Sequence, residues 1–409
     1  MDVRERFRTV MEGGRAAPPK WEFGYWGATC TNWYAEGLAR RVEPRPLTKV
    51  STASSSLYIP CWSSLPKGTL SAGIAVLGGG LYWPTQGFAL DEDVRVACGM
   101  DKGQVLVDVD LLFYPRFESH VLDETDRSLI YVDIDGVKRQ FAKDTGVLPT
   151  ALENPIRDRS SWEVLKAERL SLKALKNRFP ANWTELLRGY RGRDYPLVLG
   201  GYPHGYFGTL AHLMGYEKLF YAYTDDPALI HDIQKTFSDV WLAVYEEVLS
   251  QTDVDLFVIW EDISAGTGSM VSPAMMREYM LPYYKRLTGF LRAHGVTTIF
   301  VDTDGECTDL IPLFLEGGVT GLYPMEASCG VDIVKVRKDF PTLQMMGGIP
   351  KSEIRRGPAR IEEILLPAEE VLKTGRYVPF GDHLIPPEVH WKEFQTYRGR
   401  LNELIDSGG

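Results

Sequence analysis

Residues 299–306 read IFVDTDGE: three apolar residues, then Asp302, Asp304 and Glu306 at alternate positions. In an extended strand, residues two apart face the same side, so Asp302 and Asp304 would present their carboxylates together. Crowded carboxylates repel unless one is protonated or a cation binds them. A divalent metal is the simplest neutraliser. Other apolar runs close in the same way. Glu261 and Asp262 follow DLFVIW, Glu326 follows TGLYPM, Asp382 and His383 follow YVPFG, and Tyr202 and His204 lie in GGYPHGYFG after YPLVL. Asp302 and Asp304 read as functional because they follow a buried apolar run directly. His383 reads as functional because it follows an acid and precedes Pro386-Pro387. Asp262, Glu306 and Asp309 read as helix caps or solvated carboxylates, and His120, His231, His294 and His390 as ordinary structural or surface groups. Cys307 and Cys329 could serve as soft ligands, but a lone cysteine is usually a small buried residue.

The elements that must position these groups have a regular rhythm. Short continuous apolar runs at 195–201, 255–262, 297–305, 320–326, 343–349 and 377–383 predict strands covered on both faces. Helical patterns lie between them. The helix from Pro227 has Asp226 as its cap and Pro at the first position. A second opens with Ser272-Pro273, is kinked by Pro282 and stops at Gly295. Repeated strand–helix units predict parallel strands with right-handed crossovers. With KWEFGYWG at 20–27, the pattern predicts a (β/α)8 TIM-type barrel better than an open doubly wound sheet. No G-x-G-x-x-G follows a strand, and GGYPHGYFG lacks the Lys-Ser/Thr of a phosphate loop. Residues 90–160 alternate and are β-rich, with Asp135-Gly136 as a hairpin turn. They predict an antiparallel insertion near the barrel mouth within a single domain spanning 1–409. In α/β barrels the chemistry sits at the C-terminal strand ends, where the acids above fall.

Composition narrows the function classes. The 409 residues are 44% hydrophobic and 24% charged, with a formal net charge of -10. There is no dense Lys/Arg run, so nucleic acid and anionic membranes are not expected partners. The stretch LSAGIAVLGGGLYWP is too short and glycine-rich to span a bilayer, and the charged start MDVRERFRTV does not read as a secretory signal. Cys30, Cys61, Cys98, Cys307 and Cys329 are scattered and form no C-x-x-C, which predicts a reducing, cytoplasmic setting.

Three segments are similar to the uroporphyrinogen decarboxylase superfamily, which includes cobalamin-linked methyltransferases: WEDISAGTGSMVSPAMMREYMLPYYKRL, GGVTGLYPMEASCGVDIVKVRKDFPTLQMMGGIPK and GDHLIPPEVH. The resemblance runs over nearly the whole chain, is strongest from about 195 to 390, and implies an α/β barrel. Porphyrinogen decarboxylases of that group carry Arg-rich N-terminal motifs that grip carboxylates. The matching KWEFGYWGATCTNWYAEGL has no Arg before Arg40, and a polyanion needs fixed cations. In the thiol methyltransferases of the group, a His-x-Cys and a later Cys hold zinc. Here Asp302-Thr303-Asp304 and His383 occupy those places, with Glu261 nearby. The resemblance therefore implies a metal at Asp302, Asp304, His383 and Glu261, most simply zinc, with manganese, iron or magnesium also accommodated by oxygen-rich ligation. It implies methyl transfer between a small O- or S-methyl substrate and a corrinoid (cobalamin) carrier on a partner protein, and a homodimer. Glu261, Asp304 and Tyr202 would be catalytic. Tyr25, Trp26, Trp33, His204 and Glu326 would line the substrate. The alternative is a decarboxylase acting on a small carboxylic acid; a non-catalytic binding barrel is a third reading.

Overall fold

The computed structural model describes residues 1–39, 92–142 and 149–408. Its strands, in chain order, are β1 Val105–Leu106, the set β2 His120–Glu124, β3 Ser128–Val132, β4 Lys138–Ala142 and β5 Thr150–Glu153, then β6 Leu197–Gly200, β7 Leu256–Trp260, the short pair β8 Ser264–Ala265 and β9 Gly268–Ser269, β10 Ile299–Asp302, β11 Gly321–Tyr323, β12 Gln344–Ile349 and β13 Tyr377–Gly381. Seven of these form one sheet in the order β1-β6-β7-β10-β11-β12-β13. Every adjacent pair in it is parallel. The order never reverses, whereas a doubly wound sheet must reverse at its switch point. The chain is therefore a TIM-type barrel, as the strand–helix rhythm predicts.

The eighth stave is irregular. Residues 20–27, expected as a strand, make only one isolated bridge, Tyr25 to Ile385. The segment still spans the gap between the sheet edges. At its start Asp101 N–H donates to the Lys20 carbonyl (3.1 Å) and Trp21 Nε1–H to that of Lys102 (2.8 Å), just before β1. At its end Ile385 N–H donates to Gly24, just after β13. Glu22 is fully buried between the edges. Its carboxylate accepts from Gly381 N–H at 2.6 Å and lies 3.4 Å from Arg398 Nη1.

Two apolar cores follow from strand alternation. Phe23, Val198, Leu256, Val258, Phe300, Tyr323, Met346, Val378 and Phe380 fill the barrel, and Phe7 and Met11 of the helix Val3–Met11 pack into the same cluster. The outward-facing residues pack against the helices. The helix Pro227–Leu249 opens as expected, with the Asp226 carboxylate accepting from Leu229 N–H. The kink expected at Pro282 takes the form of a π turn, Met276–Met280, directly before the helix Leu281–Ala293.

The insertion is narrower than expected. β2–β5 form a four-stranded antiparallel sheet, but Val105–Leu106, expected within the insertion, belongs to the barrel. Asp135-Gly136 does make the hairpin turn, with Gly136 at φ +81°. Cys61 and the apolar stretch at 70–84 lie outside the described residues. No helix among the described residues is long and apolar enough to cross a membrane.

The Glu22–Arg398 pair ties the irregular stave to the C-terminal helix Trp391–Gly408. Arg398→Met leaves a buried carboxyl without its cation and is expected to cost about 3–5 kcal/mol in urea unfolding; a loss within about 0.5 kcal/mol, typical of surface changes, would show that the irregular stave does not depend on it.

Candidate active site

The acids after β7 and β10 separate by function. Glu261 turns away from the mouth. It is fully buried, and its carboxylate accepts from Tyr206 N–H (2.9 Å), Phe207 N–H (2.6 Å), Gly208 N–H (3.1 Å) and the Tyr284 hydroxyl (2.6 Å). This explains the glycine-rich GGYPHGYFG. A Cβ on Gly205 would lie 1.7 Å from the Trp260 carbonyl, and one on Gly208 2.5 Å from it. The loop offers its amides to an anion, and that anion is the chain's own Glu261.

Asp302 also stays inside. It is 3% exposed and accepts from the Tyr323 hydroxyl at 3.1 Å. Asp304, two residues on, reaches the mouth, where its Oδ2 lies 3.2 Å from His383 Nε2. The His383 ring rests on Phe23, centroids 4.9 Å apart. Gly305 then turns the chain at φ +77°; a Cβ there would meet the Ala265 carbonyl at 2.5 Å. Its N–H donates to Glu326 (2.8 Å), whose other oxygen is 3.1 Å from Lys351 Nζ. Lys351 also lies 3.4 Å from Asp382, whose carboxylate accepts from Ser328 N–H and Lys351 N–H.

The titration of these groups follows from their neighbours. Burial pushes Asp304 up, but the His383 ring and the Lys351 ammonium hold it below the usual carboxylate range. Asp262, at φ +47°, is drawn down by the same His383 ring and by a bond from Asp304 N–H, but less strongly. Burial, then the Asp304 and Glu326 carboxylates, push it up to about 7 against the pull of His383. Asp262 therefore titrates near neutral pH and is more than the cap expected from its sequence position. Glu306 makes a local bond, accepting from Thr308 N–H, whereas Asp309 accepts from the Ser269 hydroxyl 40 residues earlier.

The other expected site residues divide in the same way. Tyr25 and Trp33 are fully buried in the outer core. Their rings are 5.2 Å apart, and Trp33 stacks on Phe394 at 4.4 Å. They pack helices and do not line substrate. Trp26 is partly exposed beside the inner core. His204 is fully buried, with its ring 4.0 Å from Trp241 and Nδ1 bonded to the Tyr245 hydroxyl. Burial lowers it to about 3, so it is a neutral core residue. Glu326 is at the mouth; Tyr202, two residues after β6, lies at the same end of the barrel but is mostly buried, its ring 4.6 Å from Trp260. Of the four expected metal ligands, Asp304 and His383 come together, while Asp302 and Glu261 are engaged by protein donors. Among the described residues no three carboxylate, imidazole or thiol groups converge as a metal site. The four-ligand set does not assemble in this structure.

The profile of the uroporphyrinogen decarboxylase (URO-D) family matches residues 129–396, more than half of the chain. The chain belongs to the uroporphyrinogen decarboxylase family. The match takes in Tyr202, Glu261, Asp304, Glu326 and His383. A methyltransferase from Methanosarcina mazei shares the fold, with a TM-score of 0.57 and 12% identity, over 100% of this chain and 99% of that one. No curated protein matches the sequence. The URO-D profile begins after β1, yet the structure shows that β1 and the stave at 20–26 complete the same barrel.

The Asp262 proton has a thermodynamic consequence. Its folded value, about 7, lies above the ordinary carboxyl value of 3.8. Its contribution to stability is therefore complete below the ordinary value and is lost as pH rises through about 7. Asn tolerates a positive φ as well as Asp does, so Asp262→Asn is expected to retain more of its melting temperature than wild type between pH 5 and 8. Calorimetry with chelator present checks this; parallel losses in the two proteins would refute the raised value.

Proposed function

We propose that this chain is an enzyme of the methyltransferase type within the URO-D family, moving a methyl group between a small O- or S-methyl compound and a corrinoid carrier on a partner protein. The observation that carries this reading is the Asp304–His383 pair at 3.2 Å, standing at the barrel mouth on Phe23. The fold shared with a methyltransferase along the full chain is consistent with it, as an analogy between folds.

A methyl group leaves oxygen or sulfur more easily when the departing atom receives a proton. Asp262 holds such a proton near neutral pH, and a positioned acid of matched pKa contributes about 10²–10⁴-fold. Asp304 fixes the His383 ring, which can hydrogen-bond the substrate heteroatom. Trp26 and Tyr202 offer aromatic surface. The carrier, when bound, supplies the cobalt that takes or gives the methyl group. Tyr216, whose hydroxyl is pushed up by burial and by the Asp262 and Asp304 carboxylates, and Phe220 stacked on it expose aromatic surface beside this site. Such a surface suits a partner carrying a large planar group.

Porphyrinogen is a poor substrate for this mouth. Lys351 is already held by Glu326 and Asp382, so a polycarboxylate would have to compete with those two carboxylates for its charge. A decarboxylase acting on a small acid is the second reading, favoured by the same Asp262 proton, which could quench a carbanion.

His383→Ala and Asp304→Asn are each expected to lower methyl transfer from methylated corrinoid to thiols or phenols by about 100-fold or more, with melting temperatures held. No transfer by wild type to any acceptor would reject the proposal, and carbon dioxide release without corrinoid would favour the lyase. Plasma mass spectrometry of wild type, Asp302→Ala and His383→Ala addresses the metal. Near-stoichiometric zinc, manganese or iron lost in both variants would mean that the ligand set assembles on metal binding.

A further inference from the structure

A second chain of titratable groups reaches the mouth from the insertion. The Tyr202 hydroxyl lies 3.0 Å from both ring nitrogens of His212, on the helix Gly208–Met214. His212 Nε2 lies 3.1 Å from Asp135 Oδ2. The His212 and Asp135 side chains are 6% and 3% exposed. Asp135 sits in the β3–β4 turn, which Asp133 builds by accepting from Asp135 N–H and Val137 N–H at 2.9 Å each. Arg139 links the two levels: its Nε donates to Asp133, and its Nη2 lies 3.4 Å from His212 Nδ1. Arg116, paired with Asp110 at 2.7 Å, adds positive charge near Asp135. Burial pushes Asp135 up, but the His212 bond and charge and the two arginines hold it below the usual range.

An ionised Asp135 can only accept a hydrogen bond. It therefore keeps the His212 proton on Nε2 and leaves the Nδ1 lone pair as the acceptor that faces the Tyr202 hydroxyl at 3.0 Å and Arg139 Nη2 at 3.4 Å. This is the arrangement in which an acid orients an imidazole that activates a hydroxyl.

We propose that Tyr202, His212 and Asp135 form a second proton path at the mouth, in which Tyr202 takes the proton of a substrate hydroxyl or thiol. As the acceptor's O–H or S–H proton passes to the Tyr202 oxygen, the Tyr202 proton passes to Nδ1 of His212. The bonding pair stays on the acceptor atom, which becomes the nucleophile. The imidazolium lies against the Asp135 carboxylate; once the methylated product has left, His212 returns its proton to Tyr202 and the proton taken from the acceptor is released to solvent. Tyr202 is the catalytic residue; His212 and Asp135 are positioning residues. This rests on the methyl-transfer reading for the identity of the acceptor, and it makes the insertion part of the active site.

The test does not require the reaction. Tetranitromethane nitrates tyrosinate, so a tyrosine whose proton is drawn to a base reacts faster than an ordinary one. At neutral pH, peptide mapping of the intact protein is expected to show Tyr202 nitrated at least about tenfold faster than the exposed Tyr221. His212→Gln keeps an N–H for Asp135 but cannot accept a phenol proton; it should remove the excess reactivity while circular dichroism and melting temperature stay unchanged. Asp135→Asn should do the same. Nitration of Tyr202 no faster than Tyr221, or equal rates in wild type and His212→Gln, would overturn the proposal and leave the three residues as a pin holding the insertion to the barrel. Should Asp135→Asn fail to fold, the comparison of Tyr202 with Tyr221 in wild type and in His212→Gln still decides it.

Discussion

The buried Glu261 carboxylate is the constraint on which the mouth depends. A charge in the interior must be hydrogen-bonded or it costs several kcal/mol. Glu261 meets that demand by accepting from the amides of Tyr206, Phe207 and Gly208 and from the Tyr284 hydroxyl. These bonds tie the end of β7 to the loop after β6 and to the helix Leu281–Ala293. They also decide the next residue. With Glu261 turned inward and Asp262 at positive φ, the Asp262 carboxyl stands among the mouth acids.

From there the mouth is an exercise in managing carboxylate repulsion. Asp302 is satisfied by Tyr323, Asp304 by His383, and Glu326 and Asp382 share Lys351. Each pairing removes one source of repulsion and fixes one loop. Asp262, against the Asp304 and Glu326 carboxylates, is pushed up to about 7 despite the pull of His383. One acid kept neutral beside an ionised neighbour is how a protein supplies acid chemistry near pH 7. The partition comes from environment, since the side chains are chemically alike.

The insertion extends the same logic. Asp133 and Asp135 lie in one turn, yet Asp133 spends its carboxylate on the turn and Arg139 while Asp135 reaches His212. The contact joins the antiparallel sheet to the helix after β6. It places Tyr202, on the rim of the barrel, at the end of a buried chain of polar groups.

The strands from 195 onward, the Asp226-Pro227 and Ser272-Pro273 helix starts and the Asp135-Gly136 turn were legible in the sequence, because apolar runs, caps and turn residues act locally. So were Asp304, His383 and Glu326 as groups at strand ends. Tertiary structure alone decided which acid faces the mouth. Glu261 and Asp262 are adjacent acids, and only the amides brought near by Gly205 and Gly208 show that the first is a buried acceptor. Tyr25 and Trp33 read as a substrate wall, but Tyr25 at its bridge to Ile385 and Trp33 on the helix Gly27–Ala35 both turn into the outer core beside the helices. His212, in GTLAHLM, had no local signal; its role exists because Asp135, 77 residues earlier, folds back onto it. Residue types and periodicity determined the barrel and the acidic rim. The proton distribution on that rim depends on distances and burial between segments far apart in the chain, and those belong to the folded state.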